Sequence, residues 1–115
     1  MENRAKTYNV TCTVSAQEYT LYTCPQNSRA HMNLLYLSNS NGTTTVSVEW
    51  NRADGSHVHI LGGKNLSLGD FIQWSDAYIV LEPNDTITVT ATVNGIPHLD
   101  AMCTVEEYFL PNRTY

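Results

Sequence analysis

An all-β fold is what this 115-residue sequence predicts: a single antiparallel β-sandwich or jelly roll of about eight short strands. Three observations carry that expectation. Apolar residues alternate with Thr, Ser and Asn through much of the chain, turn residues recur at roughly ten-residue spacing, and no stretch keeps a convincing helical period. The chain has room for one domain, 1–115, with polar tails expected at 1–6 and 110–115.

The most orderly stretch runs from Tyr78 to Val93. Ile87, Val89, Ala91 and Val93 alternate with Thr86, Thr88, Thr90 and Thr92, which sends one set to each face of a sheet. Between the two halves, Glu82-Pro83-Asn84-Asp85 supplies a reversal. Pro83 presets φ, and Asn84 tolerates left-handed backbone. The expectation is a hairpin whose apolar face is covered by a second layer.

The other elements follow in order. Tyr8, Val10, Cys12 and Val14 alternate with polar residues in a first strand, and Ser15-Ala16-Gln17 turns the chain. A second strand, Tyr19 to Cys24, stops at Pro25, which has no N–H for a ladder. From Ala30 to Leu37 apolar residues reach both faces, the mark of a central strand. After Ser38-Asn39-Ser40-Asn41-Gly42, residues Thr44 to Asn51 carry Val46, Val48 and Trp50 on one face. Asp54-Gly55 predicts a hairpin returning through Ser56 to Leu61 and ending at Gly62-Gly63. Asn65 to Asp70 reads as an edge strand, and Phe71 to Asp76 as a loop capping the core. Asn94-Gly95 is a further turn, and Pro97 confines Ile96 to Asp100 to an edge. Ala101 to Phe109 is the last strand, with Cys103, Val105 and Phe109 on one face. The expected core is Val46, Val48, Trp50, Ile79, Leu81, Ile87, Val89 and Val105.

Composition excludes several functions. Net charge is −5 with six Lys plus Arg and no basic run, so neither a nucleic acid nor an anionic membrane is expected as partner. The N-terminal Met1-Glu2-Asn3-Arg4-Ala5-Lys6 has no apolar stretch behind it, and no window reaches the roughly 18 apolar residues of a spanning helix. Synthesis in a reducing cytoplasm is therefore expected, with Cys12, Cys24 and Cys103 reduced and buried.

Catalytic, cofactor-binding and metal residues are all expected to be absent. His57 and His59 stand two apart on one strand and project from one face, but a metal site needs further ligands, and His31 and His98 are remote in sequence. No serine or cysteine nucleophile motif is present. Asp70 and Asp76, or Glu106 and Glu107, do not pair two carboxylates as glycoside hydrolysis requires. Asp70, Asp76, Asp85 and Asp100 are read as turn residues bonding their own backbone rather than as calcium ligands. Trp50 belongs to the core, whereas Trp74 and the tyrosines leave open a carbohydrate-binding module.

Tyr19-Thr20-Leu21-Tyr22-Thr23-Cys24-Pro25, an apolar strand ending Leu37-Ser38-Asn39, and the late Ile79-Val80-Leu81-Glu82-Pro83-Asn84-Asp85-Thr86-Ile87 together resemble a group of small virion proteins of tailed bacteriophages. Cys24 and Asn84 depart from that pattern, standing where an aliphatic residue and a glycine are usual. The resemblance implies a β-sandwich structural protein of the virion without enzymatic activity, foremost a capsid decoration or cement protein that stabilises the head. A tail, neck or fibre accessory is the alternative within the class. The implied partners are the major capsid protein or other virion proteins. A homo-oligomer is also implied, a trimer by the family's habit.

Overall fold

The computed structural model describes residues 4–110, with the side chains of all of these except 4 and 76–78. Eight strands follow one another: β1 (Arg4–Cys12), β2 (Glu18–Thr23), β3 (Ser28–Asn39), β4 (Thr44–Asn51), β5 (His57–Leu66), β6 (Phe71–Leu81), β7 (Thr86–Thr92) and β8 (Leu99–Phe109). They form two four-stranded sheets, ordered β1-β8-β3-β6 and β2-β7-β4-β5. Every ladder is antiparallel. Consecutive strands fall in opposite sheets except β4 and β5, so the sandwich is a double-sheet jelly roll.

That crossing corrects the expected hairpin at residues 78–93. Strand β6 pairs with β3 and β7 pairs with β2 and β4, so Glu82–Asp85 arches from one sheet to the other. Its local chemistry is as the residues imply: Asn84 takes a φ of 71°. Period-two alternation assigns side chains to faces but says nothing about which strand lies alongside.

Further boundaries differ: the expected edge strand Asn65–Asp70 is the end of β5 and the turn at 67–70, and Leu99 and Asp100 of the expected edge segment open β8, which lies inside its sheet. Gly62-Gly63 does not end β5, which runs on to a buried Leu66. Its register slips opposite Val46/Val48 and again opposite Val48/Glu49, and Gly63 has a φ of 73°, so the glycines serve a bulge. Phe71–Ser75 is not a loop but the first half of β6, in regular register with Ser38 to Leu34. Ile72 and Trp74 pack toward the core, while Phe71, Gln73 and Ser75 face solvent. At the N-terminus β1 starts inside the segment expected to be a tail, with Arg4, Ala5 and Lys6 opposite Glu107, Glu106 and Val105. The remainder of the expected tails, 1–3 and 111–115, lies outside the described residues.

Of the expected core, Val46, Val48, Leu81, Ile87, Val89 and Val105 are fully buried, and Trp50 and Ile79 pack half-buried against them. Phe109, by contrast, is exposed at the end of β8. Cys12, Cys24 and Cys103 are free and buried, as expected. On one flank of the sandwich β1 and β2 pack together, whereas the flank between β5 and β6 is parted by a cleft.

Candidate functional site

The topology sends the turns at 13–17, 40–43, 67–70 and 93–98 to one end of the sandwich, here called the crown. Buried Asn39, the last residue of β3, organises it. Its Nδ2 donates to the carbonyls of Leu66 (3.0 Å) and Ser67 (3.2 Å), and its Oδ1 accepts from the Asn41 amide and the Thr44 hydroxyl. The Asn39 amide donates to Asp70 O, and Gly69 N donates to Asn39 O. The Ser40 amide and the Asn41 side chain then donate to the carbonyls of His98 and Ile96. On the other side Ser15 Oγ donates to Val93 O and accepts from Val93 N. Tyr19 OH accepts from the amides of Thr13 and Val14, and hydrogen bonding to Thr13, side chain first, holds that phenol below its usual range. Four loops that alternation alone would leave independent are thus one braced surface.

That surface is apolar where solvent meets it. Val14, Leu68, Phe71 and Ile96 are 50%, 66%, 61% and 73% exposed, four of the seven exposed large hydrophobic residues among those described. Their gathering on one end is informative where a single exposed side chain would not be. The crown carries acid but no described Lys or Arg: Asp70 accepts from Ser67 N, and Asp100 lies 3.9 Å from His98. Three of the described cations are tied up toward the opposite end, Lys6 with Glu107, Arg29 with Glu82 and Arg52 with Asp85. Lys64 stands on the β5 edge, opposite Val46.

The cleft between β5 and β6 has a volume of about 310 Å³. Met32, Leu34, Leu35 and Ile79 line it from one sheet with Trp74, and Trp50, Val58 and Ile60 line it from the other. No lining side chain is ionisable, and the Trp50 indole N–H is already committed to Asp85 at 3.1 Å. Trp74 therefore stands in an apolar slot, not on a polar-flanked platform of the kind a sugar needs.

The histidines are not brought together. His57 and His59 do share the outer face of β5, where His57 Nδ1 meets Asn51 Oδ1 at 2.7 Å and His59 Nε2 meets Glu49 at 3.0 Å. His31 lies against Tyr108 with the rings tilted, and His98 lies at the crown. Among the described residues no three His, Cys, Asp or Glu are grouped to hold a metal ion. Asp70 and Asp85 do bond their own turns, through Ser67 N and Glu82 N, and the side chain of Asp76 lies outside those described; Asp100 is not a turn residue but stands in β8, where it accepts from the Thr11 hydroxyl on β1.

The sequence did not lead us to expect burial of two carboxylates, Glu107 and Asp85. Glu107 continues the inward series Ala101, Cys103, Val105 on β8 and is only 4% exposed. It accepts from Tyr22 OH at 2.7 Å and Tyr8 OH at 3.4 Å and pairs with Lys6 at 3.2 Å. Burial, with Glu107 alongside, pushes the Tyr22 phenol far up. Asp85 is 1% exposed and accepts from Trp50 Nε1, Ala53 N and Glu82 N. Both are saturated by donors and neither lines the cleft, which is a structural arrangement rather than a reactive one. The signal for Glu107 was present, since period two places it beside Val105.

No protein-family model matches the chain, and no curated protein matches its sequence. Its fold is similar to solved structures at low identity. One belongs to Bacillus endospore appendages, a family of disulfide-linked pili, at 17% identity and a TM-score of 0.56, covering 95% of this chain and 89% of that one. Another belongs to the acid-stable capsid of Helicobacter pylori bacteriophage KHP30, at 14% identity and a TM-score of 0.52, covering 99% of this chain and 100% of that one. A third comes from the T13 particle of infectious bursal disease virus, at 11% identity and a TM-score of 0.58. This chain aligns over 93% of its length there but spans only 31% of the viral chain. Viral capsid chains, one of them from a phage, and a pilus protein thus share this jelly roll.

Proposed function

We propose that this chain is a non-enzymatic structural protein of a virion, and more narrowly a decoration protein that seats its crown on the assembled head of a phage. The observation that carries the reading is the crown itself: four exposed apolar side chains, three on loops and Phe71 at the start of β6, on an end braced by Asn39, Asn41 and Ser15. A rigid apolar surface binds without having to order itself first, which spares the entropy that mobile loops would lose. Its acidic margin favours a partner seat with basic residues around an apolar floor. The capsid chain of phage KHP30, matched end to end, supports the reading by showing that a chain of this size and fold occurs in a phage capsid. The pilus reading has less support, because disulfide linkage needs an accessible thiol and all three cysteines here are buried.

Binding an assembled shell but not its free subunits stabilises the shell by mass action. The test is quantitative mass spectrometry of the purified particle, with heat challenge of particles carrying and lacking the protein. Head decoration requires many copies and a shell that fails at lower temperature without them. A handful of copies confined to the tail would make the chain a neck or tail accessory instead. Val14→Ser with Ile96→Ser should leave the fold intact and sharply reduce incorporation; full incorporation of this variant would remove the crown from the account.

A further inference from the structure

The sandwich has four edge strands, and three of them are guarded. On β1 the Lys6 side chain crosses to Glu107, and the strand packs against β2. Strand β2 opens at Glu18 and is bulged between Thr20 and Tyr22. Strand β5 slips register twice and carries Lys64. Bulges and charges are the ordinary means of keeping an edge from pairing with another chain. The first half of β6 has neither. Phe71-Ile72-Gln73-Trp74-Ser75 is uncharged, holds regular register against β3 up to the bulge that follows Ser75, and among the described residues pairs with no other strand. It also forms one lip of the apolar cleft, through Trp74.

We propose that β6 pairs with β6 of a second copy, antiparallel about a two-fold axis through Gln73, joining two four-stranded sheets into one of eight. The edge itself specifies the occupant. A lipid or other apolar small molecule would fill the cleft but leave the row of backbone N–H and C=O groups to water, whereas a strand satisfies the row and covers the cleft together. A second copy is the strand that matches, because the run is self-complementary. Centring on Gln73 sets Phe71 opposite Ser75 and Ile72 opposite Trp74, with all five uncharged residues in the ladder. Side chains of paired residues share a face, so Ile72 and Trp74 of each copy meet on the core side, an aromatic beside a β-branched residue. The partner's Ile72 then lies against Trp74 at the mouth of the cleft. Outside, the two Gln73 amides meet across the axis.

Charge sets the strength. The same register brings Asp70 of one copy opposite residue 76, also an aspartate, of the other, at both ends of the ladder. Five residues a side is far below the roughly 20–30 of a standard interface, so the dimer is weak and tightens as salt screens the acidic ends. In a shell that holds many copies side by side, a weak two-fold contact acts at high effective concentration. This two-fold contact differs from the trimer implied by the phage resemblance. The proposal rests on the assembly reading only for that last use of the contact; the pairing stands or falls by itself.

The experiment uses the full chain. Gln73→Cys should cross-link to a dimer under mild oxidation, since residues paired across antiparallel strands stand about 4.5–5.5 Å apart at Cα, within disulfide reach. Ser75→Cys alone should not cross-link, but mixed with Phe71→Cys it should. Sedimentation of the wild type up to millimolar concentration should show a dimer that strengthens with salt. Gln73→Lys and Gln73→Glu should each weaken it at least tenfold, and their equimolar mixture should restore it. A wild type that stays monomeric, a Gln73→Lys variant that dimerises as well as wild type, or equal cross-linking from positions 73 and 75 overturns the proposal. The crown variant Val14→Ser with Ile96→Ser should still dimerise, so loss of shell binding and loss of pairing are separable.

Discussion

Asp85→Asn should destabilise this protein almost as much as Asp85→Ala. The carboxylate is buried in the arch between β6 and β7 and every group around it donates: Ala53 N to Oδ1 at 2.9 Å, and Trp50 Nε1 and Glu82 N to Oδ2 at 3.1 and 3.0 Å. An amide offers one oxygen. If it keeps Ala53, its NH₂ group faces two further N–H donors, and if it flips, it loses Ala53 and keeps the others. Hydrogen bonds to an ionised acceptor contribute about 1.5–3 kcal/mol each, and breaking one side of a buried charged arrangement costs about 3–5 kcal/mol. Relaxation of the half-buried indole toward water reduces the sum, so the expected loss for Asp85→Asn is about 3 kcal/mol. At roughly 4 °C per kcal/mol for a domain of this size, the midpoint should fall by about 12 °C. Urea denaturation with an unchanged m-value is the assay, followed by the emission of Trp50 and Trp74 together. Arg52→Ala is the control: the guanidinium stands 3.7 Å away and is partly exposed, so its loss should cost less than about 1 kcal/mol. A loss below about 1 kcal/mol for Asp85→Asn would refute the reasoning, because the all-donor environment would then not govern the arch.

Other outcomes follow from the same geometry. Glu107→Ala leaves the buried Tyr22 hydroxyl without its acceptor and opens a void, so it should cost about 3 kcal/mol or more, and Tyr22→Phe about half that; denaturation of the two and of the double variant should show strong non-additivity. Val89→Ala, fully buried on β7, should lose about 1–2.5 kcal/mol, and an unchanged denaturation midpoint would remove Val89 from the core. Burial pushes the thiols of Cys12 and Cys24 up to about 11 and that of Cys103 up to about 12, from an ordinary value of 9.0. Alkylation of the native protein at pH 8 should therefore be slow at all three, and three modified thiols should appear once the chain is denatured without reductant. Because the folded values lie above the unfolded one, the thiols' contribution to stability is complete below about pH 9 and declines as pH rises toward 11–12. Denaturation midpoints that held constant from pH 8.5 to 11 would count against that burial.

Local chemistry was legible in the sequence wherever a residue's own backbone or its neighbour on the strand decides the outcome. Alternation marked Val46, Val48, Ile87, Val89 and Val105 as inward, and all are buried. Asn84 takes positive φ as a side chain that tolerates it, and Gly55 does so in the Asp54-Gly55 turn. Even Phe71–Ser75 carries the alternation, obscured because Phe71 faces solvent and turn residues flank the run. What the sequence leaves open is partnership. The backbone groups that join strands are the same for every residue, so nothing in Ile79-Val80-Leu81 or Thr86-Ile87-Thr88 distinguishes a hairpin from an arch between sheets. The core decided it, since consecutive strands placed in opposite sheets bury both apolar faces against each other, and Asp85 locks the arch to the β4–β5 turn. The crown is decided the same way. Val14, Leu68, Phe71 and Ile96 are spread over more than eighty residues of sequence, and only the order of strands within β1-β8-β3-β6 sets their turns side by side.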